Sequence, residues 1–319
     1  MYDIVFSIPI HHRFEVVVDQ ILNFRNFNPN CAIVFHLSQG FDYKGSKLTK
    51  DEFITIAGKI GGVFINPESV RTGFADIIQA HLSNFDYVAK EADFKYYAIC
   101  ASNEMCFKHG LVDYVSSYDM GVMETPVNLS KWPHREGLKK DDDLKSYLKA
   151  KGKTTPYFTY PEGQYFKKEI FAQMLTEIRS FYDYRKMEVA YPREEIYFPT
   201  VAQLLKKQHG YKVGKPFTYS AYHYTHLWDV TRIELENLIS GRNAFYSIKR
   251  VDRVLNDNIR AYMRERYGYY DKEREILAEY GLSLVSYSNI RTTCMDVCKY
   301  FNAIVHNVPK ILQRVGIKV

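Results

Sequence analysis

MYDIVFSIPI (residues 1–10) is a nearly continuous apolar run that ends at two histidines, a pattern typical of a buried strand. Helical spacing of apolar residues follows it, and the same alternation then repeats along the first hundred residues. Alternating strands and helices predict an α/β fold with a Rossmann-type mixed, mainly parallel sheet. The further predicted strands are CAIVFHL (31–37), GGVFINP (61–67) and KYYAICAS (95–102), and the predicted helices are RFEVVVDQILNF (13–24), KDEFITIAGKI (50–60) and TGFADIIQAHLSNFDYVAKEA (72–92).

Polar residues follow each of these predicted strands. Ligands of open α/β sheets bind in the crevice beyond the carboxyl ends of the strands. We therefore expect His11, Ser38, Asn66 and residues 102–104 to surround one crevice. The first half of the chain has neither a G-x-G-x-x-G nor a G-x-x-x-x-G-K-[ST] motif, which argues against a dinucleotide-dependent dehydrogenase and a P-loop enzyme.

The alternation becomes less regular after residue 125. The charged segment 130–156 predicts an exposed insertion or lid with one short helix. Apolar spacing predicts further helices, and Gly210 is a plausible stop for the second of them. We expect one catalytic domain over residues 1–255 and a helical extension, packed on it, over residues 256–319. The later helical segments are 166–182, 191–210, 252–268, 272–281 and 290–308.

Composition limits the classes of protein that fit. A net charge of +6, spread along 319 residues, suits an enzyme with an anionic substrate better than a nucleic-acid-binding protein. The odd number of cysteines, five, favours free thiols in a reducing cytosol, and we interpret Cys31, Cys100, Cys294 and Cys298 as core residues. We find no signal peptide and no apolar run long enough to span a membrane, so we expect a cytoplasmic protein.

Acidic residues are the first candidates for chemistry. Asp141, Asp142 and Asp143 satisfy a D-x-D pattern, but their hydrophilic surroundings favour the start of a helix over a metal site. Glu194 and Glu195 precede an aromatic and apolar run. A carboxylate against such a surface has a raised pKa and suits a general base, whereas the competing interpretation is again a helix start.

Basic residues and histidines supply further candidates. The strand-like AFYSI (244–248) leads into Lys249 and Arg250, and Arg242 lies just before it. Paired cations at a strand end could stabilise a leaving diphosphate. An equally good interpretation is a strand whose charged end simply reaches solvent. His11, His12, His223 and His226 suggest a hydrolase. The sequence has no G-x-S-x-G motif to supply a serine nucleophile, which weakens that interpretation.

Taken in order, several segments resemble the core-2/I-branching β-1,6-N-acetylglucosaminyltransferase and peptide-O-xylosyltransferase family, including its bacterial members. The resemblance covers about residues 1–255. Ser38 replaces an aspartate of the family pattern, and Thr72 replaces a tryptophan. The matching segments are IPIHHRF (8–14), VFHLS (34–38), VRTGFADIIQAHL (70–82), ICASNEM (99–105), EGQYFKKEIFAQML (162–175), PREEIYFPT (192–200) and AFYSIKRV (244–251).

The resemblance implies a GT-A-like fold and inverting, metal-independent transfer of a sugar, GlcNAc above all, from a UDP-sugar to a glycan or lipid-linked glycan. It gives Glu195 the role of catalytic base and Lys249 the role of binding the diphosphate, with Arg250 or Arg242 assisting. It places His11, Arg71 and Gly73 beside the nucleotide, and Glu162, Tyr165 and Trp228 beside the acceptor.

Three alternatives stay open. In the first, the enzyme uses another donor, which is UDP-xylose, UDP-galactose or UDP-glucose. In the second, the protein is a non-catalytic relative that binds a sugar or a nucleotide. Nucleic-acid binding is the third and least favoured. The basic C-terminal segment NVPKILQRVGIKV (307–319) suits a peripheral contact with the inner membrane, although a packing helix or a homodimer contact is the simpler expectation. A bacterial enzyme of capsule or lipopolysaccharide synthesis would fit these features.

Overall fold

The computed structural model describes residues 1–287 except 42, 44, 73–76, 129–131, 184–190 and 221–228. Several features predicted from the sequence lie outside the described residues. These are Gly73, His223, His226, Trp228, the predicted helix 290–308 with Cys294 and Cys298, and the basic C-terminal segment.

A mixed, mainly parallel seven-stranded sheet forms the centre of the protein, which confirms the predicted fold class. Its strand order is β10-β6-β9-β4-β1-β2-β3, with a three-stranded sheet β11-β12-β5 and a two-stranded sheet β7-β8 beside it. The strands are β1 (Tyr2–Ile10), β2 (Cys31–Leu37), β3 (Val63–Asn66), β4 (Phe94–Ile99), β5 (Glu104–Cys106), β6 (Met120–Gly121), β7 (Thr125–Pro126), β8 (Tyr157–Phe158), β9 (Tyr165–Lys167), β10 (Val213–Gly214), β11 (Thr218–Ser220) and β12 (Ser247–Lys249).

Helices cover both faces of the large sheet. Alternate residues of β1 point to opposite faces, so Phe6 belongs to the hydrophobic core under α1 and α2, whereas Val5 belongs to the core under α3, α7 and α8. In the described residues the helices are α1 (Phe14–Phe27), α2 (Lys50–Ile60), α3 (Ile78–Glu91), α4 (Leu111–Ser116), α5 (Arg135–Lys139), α6 (Asp142–Ala150), α7 (Lys168–Arg179), α8 (Tyr197–His209), α9 (Arg232–Ser240), α10 (Asn258–Arg266) and α11 (Tyr270–Ala278). None of them combines the length and the apolar character that a membrane crossing requires.

The predicted boundaries hold best where strands are long and buried. The predicted strand 31–37 and helix 50–60 match β2 and α2 residue for residue. The structure corrects the predicted helix 166–182, because its first residues belong to β9, which pairs antiparallel with β4 and β6. Gly121 and Gly214 allow this pairing, since a Cβ atom at either position would collide with the side chain of Tyr165.

Segment 130–156 is also different from the prediction. Its described part forms two helices, α5 and α6, and Leu144 and Leu148 of α6 belong to the hydrophobic core. Asp141 accepts a hydrogen bond from the Leu144 backbone N–H and caps α6, as the helix-start interpretation requires. Asp141 is buried rather than solvated, because the hydroxyls of two tyrosines also donate to its carboxylate.

A buried network of charges joins the C-terminal helices to α1. Asp19 of α1 lies 2.5 Å from Arg260 and 3.5 Å from Arg264, and Arg264 lies 3.4 Å from Glu273, with all four side chains inaccessible to solvent. Arg260 also donates to the Asp252 carbonyl and Arg264 to the Leu255 carbonyl. The two arginines therefore fix the loop that follows β12.

We predict that Asp19→Asn destabilises the protein by about 3–5 kcal/mol, because it leaves buried arginine charge without its partner. Urea unfolding followed by circular dichroism measures this free energy. The matched control is Glu279→Gln, which breaks the exposed ion pair with Lys59 and should leave the free energy of unfolding nearly unchanged. Equal unfolding midpoints for the two variants would contradict the structural role of Asp19.

Candidate active site

A cleft of about 710 Å³ opens beyond the carboxyl ends of β1 and β4. Side chains that are distant in sequence converge in its walls. Most of them come from the ends of β1 and β4 with the residues that follow them, the residues before β9, the turn before α8, and the end of β12 with its loop, and single residues are added by Phe41, Ile77, His134 and Asp229. This is the edge at which α/β sheets bind ligands.

The cleft brings together five of the ten residues that the resemblance assigns to the site. Arg71 and Arg242 are exposed and are not among its lining residues. Tyr165 is fully buried in the sheet, and Gly73 and Trp228 lie outside the described residues. The residues assigned by the resemblance that line the cleft are His11, Glu162, Glu195, Lys249 and Arg250. Ser102 and Asn103, expected at the crevice, also line it, whereas Ser38 and Asn66 are not among its lining residues.

Glu195 ends a 3₁₀ turn, Arg193–Glu195, directly before α8. Its backbone is fixed, because its N–H donates to the Pro192 carbonyl and its own carbonyl accepts from the Thr159 N–H at 3.0 Å. Burial raises the pKa of the Glu195 carboxyl to about 9, with the nearby charges of Glu194 and Glu162 adding to the effect. Lys249 and a hydrogen bond from the Trp132 indole oppose that pKa rise.

Lys249 lies between two carboxyl groups. Its ammonium forms an ion pair with Glu162, whose side chain is only 6% exposed. Glu104 lies opposite Lys249 in the β5–β12 pairing, and burial followed by repulsion from Glu162 raises the pKa of Glu104 to about 8. The lysine therefore sits at the boundary between the cleft and a buried acidic pair.

Arg250 has a left-handed backbone with φ of 75°, which is uncommon for a residue with a Cβ atom. The Val230 N–H donates to the Arg250 carbonyl at 3.0 Å and holds this conformation. Arg253 lies on the same wall, and burial, with the charges of Arg260 and Arg250, lowers its pKa to about 10. A guanidinium that is buried beside other cations is suited to bind an anion. Asp229 and Asp252 offset part of this charge.

His11 connects this cleft to the ends of β2 and β3. Its Nε2 lies 2.6 Å from the Thr72 hydroxyl, and the Thr72 backbone N–H donates to the Ser38 hydroxyl at 3.0 Å. Ser38 and Thr72, two of the departures from the family pattern, therefore contact each other, and Thr72 orients His11. Burial, followed by the charges of His12 and Arg253, lowers the pKa of His11 to about 4, which makes its imidazole neutral at pH 7.

Two functional candidates, Arg253 and Trp132, escaped the sequence analysis. Arg253 follows Lys249 by four residues, and a closer look at the KRVDR run would have included it among the cations. Trp132 carries no such signal, because it reaches Glu195 from a distant segment. Glu104 was expected beside the crevice, but its position opposite Lys249 depends on the pairing of a three-residue strand. Within the described residues no three metal-ligating side chains converge.

We predict that Glu195→Gln makes the protein more stable than the wild type at alkaline pH. The pKa of the Glu195 carboxyl is about 9 in the folded protein and 4.5 in the unfolded chain, so the folded protein binds the proton more tightly. The free energy of unfolding of the wild type therefore falls as the pH rises from 4.5 to about 9. Glutamine removes this dependence. Thermal melts at pH 5, 7 and 9 should show a gap between the two proteins that widens with pH, and parallel melting curves would contradict the burial of this charge.

No protein-family model matches the sequence, and no curated protein sequence matches it. Among solved structures, the galactosyltransferase LgtC, in complex with donor and acceptor sugar analogues, aligns with 10% identity over 90% of this chain and 98% of its own, with a TM-score of 0.41. The apo-form glycosyltransferase GlyE of Streptococcus pneumoniae aligns with 8% identity over 88% of this chain and 63% of its own, also with a TM-score of 0.41. These values assign neither a family nor an activity to the chain.

Proposed function

We propose that this protein is an inverting glycosyltransferase with a GT-A-like fold, which transfers a sugar from a UDP-sugar to a hydroxyl of a glycan acceptor without a metal ion. One observation carries the proposal. A half-buried carboxyl, Glu195, shares a cleft with the cations Lys249, Arg250 and Arg253 at the ligand-binding edge of a mainly parallel sheet. Transfer from a nucleotide-sugar needs these two elements, a base and a site for the departing diphosphate.

The cations supply the leaving-group site. Negative charge grows on the diphosphate as the bond from the anomeric carbon to the phosphate oxygen breaks, and preorganised cations stabilise that charge. Lys249 supplies a point charge at the cleft wall, and the guanidinium groups of Arg250 and Arg253 offer paired N–H donors. The incoming diphosphate would compete with Glu162 for the Lys249 ammonium.

Glu195 would act as the base. The acceptor oxygen attacks the anomeric carbon from the side opposite the diphosphate, its proton passes to the Glu195 carboxylate, and UDP leaves with the bonding electron pair. The raised pKa makes Glu195 a strong base once it is ionised. The rate under subsaturating acceptor should therefore rise with pH up to about the pKa of this group.

The remaining assignments are carried by the resemblance alone. They are GlcNAc as the donor sugar, the nucleotide contacts of Arg71 and Gly73, the part of Arg242, the acceptor contacts of Tyr165 and Trp228, and a bacterial, cytoplasmic enzyme that contacts the inner membrane or a second copy. The described conformation leaves the Tyr165 ring inaccessible, so any acceptor contact there would require the sheet to open. UDP-xylose, UDP-galactose and UDP-glucose remain alternative donors.

We predict that Glu195→Gln strongly lowers the rate of sugar transfer, because glutamine cannot accept the proton. UDP affinity should equal that of the wild type, because glutamine has nearly the same shape as glutamate. General-base catalysis contributes about 10²- to 10⁴-fold in rate, and the loss should fall in this range. A coupled assay of UDP release with a panel of UDP-sugars and acceptors measures it. Turnover near the wild-type level in this variant would exclude Glu195 as the base.

We predict that Lys249→Ala and Arg250→Ala each weaken UDP binding about tenfold or more, since a charged hydrogen bond contributes about 1.5–3 kcal/mol. Isothermal titration calorimetry with UDP, in EDTA and then in excess Mn²⁺, measures the affinity and its metal dependence. The matched control is Arg179→Ala, which removes an exposed arginine of α7 outside the cleft and should leave UDP affinity unchanged. Binding only with Mn²⁺ would refute the metal-independent part of the proposal.

A further inference from the structure

A second and larger cleft, of about 1,080 Å³, adjoins the candidate active site. We call it the tyrosine cleft, after Tyr114, Tyr118 and Tyr160 in its walls. Glu162 lines both clefts, so the two spaces meet at this one carboxylate. The volume exceeds the range of about 300–1,000 Å³ that is usual for small-molecule sites, and therefore suits a ligand larger than one sugar ring.

Two polar groups in the walls of the tyrosine cleft lack hydrogen-bond partners among the described residues. They are the Oε2 atom of Glu162 and the hydroxyl of Ser220, whose residues are 6% and 5% exposed. A buried polar atom without a partner costs about 1–3 kcal/mol, so such atoms in a native structure call for a ligand or water. A carboxylate oxygen and a hydroxyl in the walls of one cleft suit a ligand rich in hydroxyl groups.

The aromatic wall is held rigidly. Tyr114 stacks on Tyr246 with ring centroids 5.3 Å apart, and its hydroxyl donates to the Lys215 carbonyl at 2.9 Å. Tyr118 packs against Gly214, where a Cβ atom would collide with its ring. Fixed tyrosine rings present an apolar face and a polar edge, which is the surface that the faces and hydroxyls of a sugar ring require.

The charges in the walls of the tyrosine cleft balance. Its charged lining residues are two acids, Glu124 and Glu162, and two lysines, Lys206 and Lys215. Lys206 forms an ion pair with Glu124, and Glu162 pairs with Lys249 of the neighbouring cleft. A balanced, partly aromatic surface favours a neutral ligand over a nucleotide or a phosphorylated one.

We infer that the tyrosine cleft binds the acceptor as a neutral oligosaccharide of at least two rings, and that Glu162 and Ser220 bind its hydroxyls where the two clefts meet. This inference rests on the proposed function and adds to it the class of acceptor and the place where the acceptor lies. Ser220 and the tyrosine wall are then specificity-determining residues, which the resemblance does not assign.

Two variants separate this inference from the proposed function. Ser220→Ala removes a hydroxyl that has no described partner, so the fold should not suffer, and Met123→Trp fills the cleft from an exposed position. The probe is an array of immobilised neutral oligosaccharides of two to four rings, read in the presence of saturating UDP. Calorimetry with UDP, UDP release from UDP-sugars without acceptor, and thermal melts accompany it. Ser240→Ala, an exposed serine on α9, is the matched control.

We expect the wild type and Ser240→Ala to bind the same oligosaccharides. Ser220→Ala should bind them about three- to tenfold more weakly, as expected for one lost hydrogen bond, and Met123→Trp should not bind them. UDP affinity and melting temperature should match the wild type throughout. Undiminished array binding by both cleft variants would overturn the location, and a wild type that binds UDP but no oligosaccharide would overturn the class of acceptor. A wild type that neither binds UDP nor cleaves any UDP-sugar would instead overturn the proposed function.

Discussion

The buried carboxylate of Asp19 is the constraint on which the arrangement of the cleft depends. It lies on α1, under the sheet, and pairs with two arginines of α10 that have no access to water. Charges in such a position require partners with defined geometry, because the interior does not solvate them. The same arginines bind the carbonyls of Asp252 and Leu255, so the network extends to the loop that carries the cations of the candidate active site. A charge far from the ligand thus fixes the wall that would meet it.

The proposed function makes two opposed demands on that cleft. A site for a diphosphate needs concentrated positive charge, and a general base needs a carboxylate kept from water. Keeping either charge away from water costs free energy, as the lowered pKa of Arg253 and the raised pKa of Glu195 indicate. Glu195 and the cations line one cleft, and the charge of Lys249 reduces the cost of ionising Glu195. Glu162, which pairs with Lys249 at the junction with the tyrosine cleft, belongs to both sets.

The sequence predicted the parts of the fold in which local pattern and burial agree. β2 and α2 have the predicted bounds because a buried parallel strand is continuously apolar and an amphipathic helix repeats every 3.6 residues. β9, β5 and β11 have three residues each, too few for any period, and their pairing depends on distant partners such as Gly121. Likewise, the placement of Glu195 and Lys249 in one cleft could be expected from ordered motifs, whereas the burial of Asp141 and the tyrosine cleft arise from tertiary packing. The inaccessible ring of Tyr165 shows the limit of transferring a residue by motif alone.

The left-handed backbone of Arg250 has a consequence for the way sequences at this position can change. An L-residue with a side chain pays about 1–2 kcal/mol for that conformation, whereas glycine adopts it freely. Selection for thermal stability alone would therefore favour glycine at position 250, and selection for an anion-binding guanidinium would favour arginine. Variant libraries screened for heat resistance and for turnover should therefore differ at this position. Under the proposed function, arginine at position 250 would keep an anion-binding side chain at a conformational cost.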